Sequence, residues 1–282
     1  MAVFNLFLST ILLPFIAVIL LWRRPRRPIG PWLTTLAMSS GVVGFSVLAA
    51  PWGFFGVPVR IVLMLAYATA LGMSLRRPIA MEAAVESPAR MLVKVAIGFF
   101  FGGVALGVLR AHELPPHSID LGFPLRGGTF LVLHGGSTPA ANAHFADAKQ
   151  RYAVDFVKLY AAGFRARGFF PSDPHAYAIY GAEVVSPCDG SVLLVRSDAK
   201  DPLGTNVVLR CGDADVVLAQ LVPGSVVVRA GARVARGALL ARAGNSGASP
   251  EPHLHVHAER KGVAVPITFE GRWLVRNALV RR

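Results

Sequence analysis

The pattern of apolar and polar positions divides the chain into two halves. Four long apolar stretches occupy the first 110 residues, at roughly 2–22, 32–50, 57–75 and 91–109. Each approaches the ~20 residues that a helix needs to cross a hydrocarbon core of ~30 Å. The third is the weakest, because Arg60 leaves only 61–75 free of charge. The pattern therefore predicts a transmembrane bundle of about four helices over residues 1–110.

From residue 111 to 282 the apolar runs are short and are separated by Gly and Pro. They lie at 130–133, 192–195, 206–209, 216–221 and 226–228. Such spacing predicts a mainly β domain. The run at 152–169 is expected to begin as a strand and to pass into a short helix.

Arginines between the apolar stretches predict the orientation in the membrane. Four follow the first stretch and three lie between the third and fourth, whereas one separates the second from the third: Arg23, Arg24, Arg26 and Arg27; Arg76, Arg77 and Arg90; Arg60. Short cytoplasmic loops are enriched in Lys and Arg. Four spans then place both chain ends outside the cytoplasm, whereas three would change the parity. We expect a multi-pass protein of the plasma (inner) membrane, with its second domain on the periplasmic or extracellular side.

The number and position of the charged residues indicate which classes of partner to expect. The formal net charge is +13, and only two of the 16 acidic residues, Glu82 and Glu86, precede residue 111. The basic residues lie at helix ends and form no continuous strip with interleaved aromatics, which argues against a nucleic-acid partner. The lipid bilayer is the expected partner of the first half. Transport is disfavoured, because ionisable residues mark transport pathways and Lys94 lies near a helix end.

Histidines alternate in PHLHVHAE, at His253, His255 and His257. On a strand, side chains at i, i+2 and i+4 share one face. Three imidazoles are costly to bury unless something uses their lone pairs. Spacing alone leaves two interpretations open, a metal site or a polar, solvated strand.

Three segments in order carry a more specific signal: NAHFADAKQRYAVDF, YGAEVVSPCDGSV and GNSGASPEPHLHVH. Over about 122–275 the chain resembles the lysostaphin-type (LytM-like) zinc metalloendopeptidases. The resemblance implies an antiparallel β-sandwich that hydrolyses peptide bonds of bacterial cell-wall peptidoglycan with Zn²⁺. Residues 1–110 show no comparable resemblance to a known family.

Residue by residue, the resemblance implies that His144, Asp155 and His255 are the zinc ligands. His253 would be the general base or acid beside a metal-bound water, whose pKa the metal lowers towards ~7. His257 would hydrogen-bond to one of the metal ligands and orient it.

Two departures from the family pattern matter. Eleven positions separate His144 from Asp155, where many relatives have a tighter spacing, so His134 is a rival ligand. Active relatives carry a histidine where LAQL places Gln220. A neutral amide can donate a hydrogen bond to an oxyanion but brings no charge. The alternative is therefore a weakly active or non-enzymatic module that binds peptidoglycan or regulates another cell-wall hydrolase, with a regulatory membrane protein as a further candidate partner.

The two cysteines, Cys188 and Cys211, both lie in the second half. If that half is outside the cytoplasm, a disulfide is permitted. The alternative is two buried or reduced thiols. They form no CxxC pair, which excludes a Cys-rich zinc site.

Overall fold

The computed structural model describes residues 6–23, 27–80, 86–198 and 200–282. Residues 2–5 of the first apolar stretch, Arg24, Arg26 and Glu82 therefore lie outside the described residues. The chain forms two compact units. We call Met1–Trp52 with Val57–Leu109 the helical unit, and Gly53–Gly56 with Arg110–Arg282 the β unit. The short segment Gly53–Gly56 thus belongs to the β unit, whereas the sequence assigned all of 1–110 to the membrane half.

Helices occupy all four apolar stretches. The first is a π-helical segment, Leu8–Leu12, that continues as Leu13–Trp22; the others are Ile29–Ala49, Val57–Leu75 and Pro88–Arg110, with a four-residue helix at Trp52–Phe55. Three helices in the described part of the chain are long and apolar enough to cross a membrane, and Leu8–Trp22 is a shorter apolar helix. The predicted N-terminal apolar helices are confirmed.

A short parallel strand pair joins two arginine-rich segments of the helical unit. Strand β1 (Arg27–Pro28) pairs with β2 (Ile79–Ala80). The guanidinium of Arg77 also donates to the carbonyl of Trp22. The segments that follow the first apolar helix and Val57–Leu75 therefore lie at the same end of the helical unit.

Glycines let two apolar helices approach closely. A Cβ built on Gly41 would overlap the carbonyl oxygen of Gly98, and one built on Gly98 would lie 2.7 Å from that of Ala37. Small residues at such positions are what allows helix backbones to touch.

The β unit contains fourteen of the strands in the described residues, and two 3₁₀ turns. The strands are β3 (Ile119–Leu121), β4 (Thr129–His134), β5 (Val154–Leu159), β6 (Glu183–Val185), β7 (Gly190–Arg196), β8 (Asn206–Cys211), β9 (Ala214–Ala219), β10 (Arg233–Val234), β11 (Leu239–Arg242), β12 (Leu254–Arg260), β13 (Val263–Ala264), β14 (Ile267–Phe269), β15 (Arg272–Trp273) and β16 (Leu279–Arg281); the turns are Ala143–Ala146 and Pro174–Ala176.

The main sheet has the order β10-β7-β8-β9-β12-β5-β4-β16, with β13 also paired to β12. All its pairings are antiparallel. Two smaller sheets accompany it: the antiparallel pair β6–β11, and β15-β14-β3, in which β14 and β3 run parallel. The predicted mainly β, antiparallel architecture is confirmed.

One hydrophobic core joins the main sheet to the smaller ones. Its centre is aromatic: the Phe156 ring of β5 lies 5.0 Å from Phe123 and 5.4 Å from Phe269 of β14, centroid to centroid. Edge-to-face pairs at such distances are favourable beyond the area they bury. Packing on one face of β5 and β12 leaves their other face to carry different chemistry.

Two local predictions were wrong. Strand β5 forms within 152–169, but no helix follows it, because Tyr160 N donates to Phe164 O and Gly163 N to Tyr160 O in a tight turn. Gly163 has φ 82°, which ends any regular continuation. The run 226–228 is not a strand; Val227 N donates to Leu240 O, but no ladder extends from that bond in the described structure.

Candidate metal centre

Alternation along β12 separates apolar from ligand-bearing side chains. Leu254, Val256 and Ala258 belong to the hydrophobic core. The histidines at 253, 255 and 257 therefore point to the opposite face. All three are buried, with His255 only 1% exposed. Because the three histidines are buried, β12 is not the solvated polar strand that spacing alone also allowed. Their six ring nitrogens therefore need partners inside the protein.

Strand register brings Asp155 beside His255. In the β12–β5 pair these two residues are direct partners, although 100 positions separate them. On its other side, Asp155 is the register partner of His134 in β4, after a bulge. On β9, Ala219 is the partner of His255. The carboxylate thus lies between two histidines in one row across the sheet.

His144 reaches this row from the loop between β4 and β5. It lies in the 3₁₀ turn Ala143–Ala146, whose N-cap Asn142 accepts a hydrogen bond from His144 N at 3.0 Å. The buried Asn142 amide donates to three carbonyls, those of Gly136, Arg151 and Ala153, at 3.2, 3.2 and 3.0 Å. These bonds fold the ten residues between His144 and Asp155 back on themselves. Sequence reasoning missed Asn142, although Asn directly before a short helical turn is a known cap signal.

Three side chains converge at the Asp155 carboxylate. His144 Nε2 lies 2.8 Å from Oδ2, and His255 Nδ1 lies 2.8 Å from Oδ1. One potential ligand atom from each residue lies within 4.8 Å of the others. Two imidazole nitrogens and one carboxylate oxygen are a donor set that hydrolytic zinc sites use. His144 is the most open of the three, at 26% exposed, so the cluster faces solvent on its side.

The pKa values of Asp155, His144 and His255 depend on one another. Burial alone would raise the pKa of Asp155, but the charge of His253 and hydrogen bonds from His144 and His255 hold it well below its usual range. Burial lowers the pKa of His255. Burial opposes protonation of His144 too, yet the hydrogen bond to Asp155 raises its pKa. The carboxylate is therefore ionised, as a metal ligand must be.

His257 lies behind His255. Its Nδ1 lies 2.9 Å from His255 Nε2, and its Nε2 lies 3.5 Å from Glu259 Oε1. Burial lowers the pKa of His257 to about 3, so the ring is neutral. With a metal on His255 Nδ1 the ring proton would lie on Nε2, which can donate to His257 Nδ1.

His134, the rival ligand, is not part of this cluster. Its ring centroid lies 5.8 Å from that of His144. Arg276 Nη1 and Ala143 N both donate to its Nδ1, at 3.2 and 3.4 Å. Burial lowers the pKa of His134 to about 4. The imidazole is therefore neutral and its Nδ1 lone pair is already used.

His253 has one defined tautomer. Its Nδ1 lies 2.9 Å from the carbonyl oxygen of Glu251 and 3.1 Å from Ser249 Oγ. Ser249 Oγ donates its own proton to the same carbonyl at 2.7 Å. Nδ1 must therefore carry a proton, so in the neutral ring Nε2 is the nitrogen with the lone pair. That Nε2 lies 3.8 Å from Asp155 Oδ1.

Gln220 directly follows Ala219, the β9 partner of His255. Its backbone is in the left-handed region at φ 63°, held by Gln220 N donating to Leu203 O and Gly244 N to Gln220 O. Its Oε1 is buried without a hydrogen-bond partner among the described residues. A non-glycine residue at positive φ with an unsatisfied buried acceptor is costly and is characteristic of functional sites.

A buried ion pair next to His253 was also missed. Arg165 Nε and Nη2 both lie 2.7 Å from Glu251 Oε2, and the two side chains are 1% and 6% exposed. The guanidinium carbon lies 3.4 Å from the ring centroid of Phe54.

Cys188 and Cys211 form a disulfide with a Cα–Cα distance of 5.8 Å. Cys211 ends β8, and Cys188 lies just before β7, the strand that pairs with β8. The described residues contain no free thiol.

Comparison with known proteins assigns a family to part of the β unit. The family model described as Peptidase family M23 matches residues 175–266. Residues 175–266 are a Peptidase family M23 domain. The matched M23 segment includes Gln220, His253, His255 and His257, whereas His144 and Asp155 lie upstream of it. Their place beside His255 rests on the strand register and on the 3₁₀ turn.

Solved structures are similar to parts of this chain at low identity. A zinc-containing peptidase from Vibrio cholerae has 23% identity and a TM-score of 0.28, over 40% of this chain and 48% of that one. A putative peptidase M23 from Pseudomonas aeruginosa has 19% identity and a TM-score of 0.34, over 64% and 60%. The SpoIIQ–SpoIIIAH pore-forming complex has 16% identity and a TM-score of 0.38, over 56% and 92%. The chain thus spans less than two thirds of the first two proteins. No curated protein sequence is significantly similar to it.

Proposed function

We propose that this protein is a membrane-anchored zinc endopeptidase that hydrolyses peptide bonds of bacterial cell-wall peptidoglycan. The observation that carries the proposal is the convergence of His144, Asp155 and His255 beside His253, in a chain with an M23 domain. Held by the first three, zinc would supply a Lewis acid and a bound water of lowered pKa.

His253 is proposed to transfer the proton from the attacking water to the leaving amine. Its Nδ1 proton is fixed by Glu251 O and Ser249 Oγ, so Nε2 is the basic atom and lies on the side of Asp155. A base within hydrogen-bond reach of the attacking water can take its proton and pass it to the leaving amine. Hydrogen bonds donated by Nδ1–H keep the ring in this orientation through both transfers.

Gln220 is proposed to bind the substrate carbonyl. Its backbone is fixed on both sides, so the side chain needs little reordering to donate its amide hydrogen. A donor directed at developing negative charge is commonly worth 10²–10³ in rate, about 2.7–4 kcal/mol. The neutral amide should deliver less than a protonated imidazole, which predicts a slow enzyme.

The location we propose is the plasma (inner) membrane, multi-pass, with the β unit on the periplasmic or extracellular side. Supporting this, the pairing of β1 with β2 gathers two arginine-rich segments at one end of the helical unit, the pattern of cytoplasmic loops. The disulfide of the β unit suits an oxidising compartment. The lipid bilayer and peptidoglycan peptides are then the partners, and no nucleic acid is expected.

A second candidate is a non-enzymatic or weakly active zinc-binding module that binds peptidoglycan or regulates another cell-wall hydrolase. A regulatory membrane protein would be its further partner. The neutral Gln220 favours it, since active relatives of the lysostaphin type carry a histidine there. The fixed orientation of the His253 ring opposes it, because a binding module has no use for an oriented base.

Zinc quantification and peptidoglycan digestion by the full chain in detergent distinguish the two candidates. The native protein should bind one zinc and release peptide fragments, and His255→Ala should lose both properties. The matched control is His175→Ala, an exposed histidine of the 3₁₀ turn Pro174–Ala176, which should keep both. Zinc without turnover would favour the binding module, and a native protein without zinc would contradict both candidates.

The role of Gln220 has a separate test. Gln220→His should raise turnover of the same peptidoglycan fragments. An unchanged rate in a variant that keeps its zinc would contradict the assigned role.

A further inference from the structure

The Arg165–Glu251 pair is unusual because it is buried and lies beside the proposed base. It is nearly free of solvent, and Arg165 Nη2 also donates to the carbonyl of Phe169 at 3.2 Å. Removing two charges from water costs free energy that their attraction seldom recovers in full. Stability alone is therefore a poor explanation for this pair, and its neighbourhood suggests another.

The segment that Glu251 occupies leads directly into His253. Pro250 and Pro252 flank Glu251. Each proline ring fixes its own φ, and a residue before proline is confined to extended conformations. With so few backbone torsions free, anchoring the Glu251 side chain also fixes the direction of its carbonyl. That carbonyl accepts the Nδ1 proton of His253 at 2.9 Å.

Arg165 is itself anchored from three directions. Its backbone N donates to Gly53 O at 3.2 Å, and Ala178 N donates to its carbonyl at 2.9 Å. Its guanidinium lies over the Phe54 ring at 3.4 Å. A guanidinium over an aromatic face gains a cation–π attraction that grows when the pair is desolvated. The contacts therefore run from Phe54 through Arg165 and Glu251 to His253.

We propose that Arg165 and Glu251 are positioning residues for His253, and that Phe54 holds the guanidinium in place. The pair touches neither substrate nor metal ligand; it directs the Glu251 carbonyl, which directs the His253 ring. This inference rests on the proposed function insofar as His253 acts as the base.

The test replaces both charges at once in the full chain in lipid nanodiscs. Arg165→Met with Glu251→Leu keeps the volume and leaves no unpaired charge, so the fold should survive. Turnover of peptidoglycan fragments should fall at least tenfold in kcat, with KM within twofold and zinc content unchanged. The matched control is Arg210→Met with Asp215→Leu, an exposed pair at 2.6 Å in the same unit, which should leave kcat unchanged.

A second readout does not depend on activity. In ¹⁵N-histidine NMR spectra, assigned with His253→Gln, the Nδ1–H of His253 should exchange slowly with solvent in the native protein. In the double variant that exchange should be at least tenfold faster. Phe54→Leu, a milder change, should lower kcat about threefold and speed the exchange to an intermediate value.

These readouts separate failure of the inference from failure of the proposed function. A slow Nδ1–H in a native protein without turnover would contradict the enzyme and leave the positioning role standing. Native kcat and native exchange in the double variant would overturn the positioning role. Should the double variant not fold, Phe54→Leu with unchanged kcat and exchange would overturn it equally.

Discussion

Asn142 offers the sharpest test of how the ligand His144 is placed. Asn142→Ala removes the cap bond to His144 N and the donor shared by three carbonyls. A cap is worth about 1 kcal/mol. The two amide hydrogens contribute about 1 kcal/mol each, and more where the carbonyls left behind are buried. We expect the variant to lose about 3–4 kcal/mol of unfolding free energy.

The matched control is Asp173→Ala, which removes the equivalent cap bond, to His175 N at 2.9 Å, from an exposed turn. It should cost about 1 kcal/mol or less. Both variants are unfolded in urea in the presence of a chelator, and the folded fraction is read by a brief protease pulse. Zinc affinity of Asn142→Ala should also fall, about 10–100-fold, as for outer-shell partners of metal ligands. Equal losses in the two variants would refute the reasoning.

Three further predictions follow from other features. Replacing Cys188 and Cys211 by Ser opens a link across 23 positions and should cost about 3 kcal/mol of unfolding free energy, measured in the same urea assay with and without reductant. Burial lowers the pKa of His257 from 6.5 to about 3, so on acidification the imidazole is protonated in the unfolded chain before it is protonated in the folded one. The contribution of His257 to the free energy of unfolding is therefore present above pH 6.5 and is lost as the pH falls towards 3. His257→Gln should therefore flatten the acid loss of stability of chelated protein, and an identical pH profile would contradict this. Gly41→Leu should separate the helices that meet at Gly98 and lower the thermal stability of the detergent-solubilised chain, whereas Gly103→Leu, with open space around its Cβ position, should not.

Periodicity accounts for what could be predicted from the sequence. Long uncharged stretches predict apolar helices, and alternation on β12 predicts three histidines on one face, because both follow from local geometry. The position of Asp155 opposite His255 is different. It depends on the register between strands 100 residues apart, which no local pattern encodes; only the resemblance indicated it.

Arg165 shows why part of the site could not be predicted. An arginine in a Gly-containing loop is usually exposed, so nothing in the local sequence indicates that Arg165 is buried. Its partner Glu251 lies 86 positions away, and the prolines beside Glu251 indicate only a turn. The helix expected after β5 does not form in the same loop, because Tyr160 and Gly163 make turn hydrogen bonds in place of helical ones.

The assignment of Gly53–Gly56 to the β unit has a practical consequence for protein production. A fragment that begins at residue 111, the boundary that hydropathy suggests, omits Phe54 and uncovers one face of a buried guanidinium. Such a fragment could fold and bind zinc yet digest peptidoglycan poorly, and its low rate would be blamed on the catalytic residues. Supplying the missing aromatic in trans, as a short peptide containing residues 52–56, would reveal whether the truncation itself was at fault.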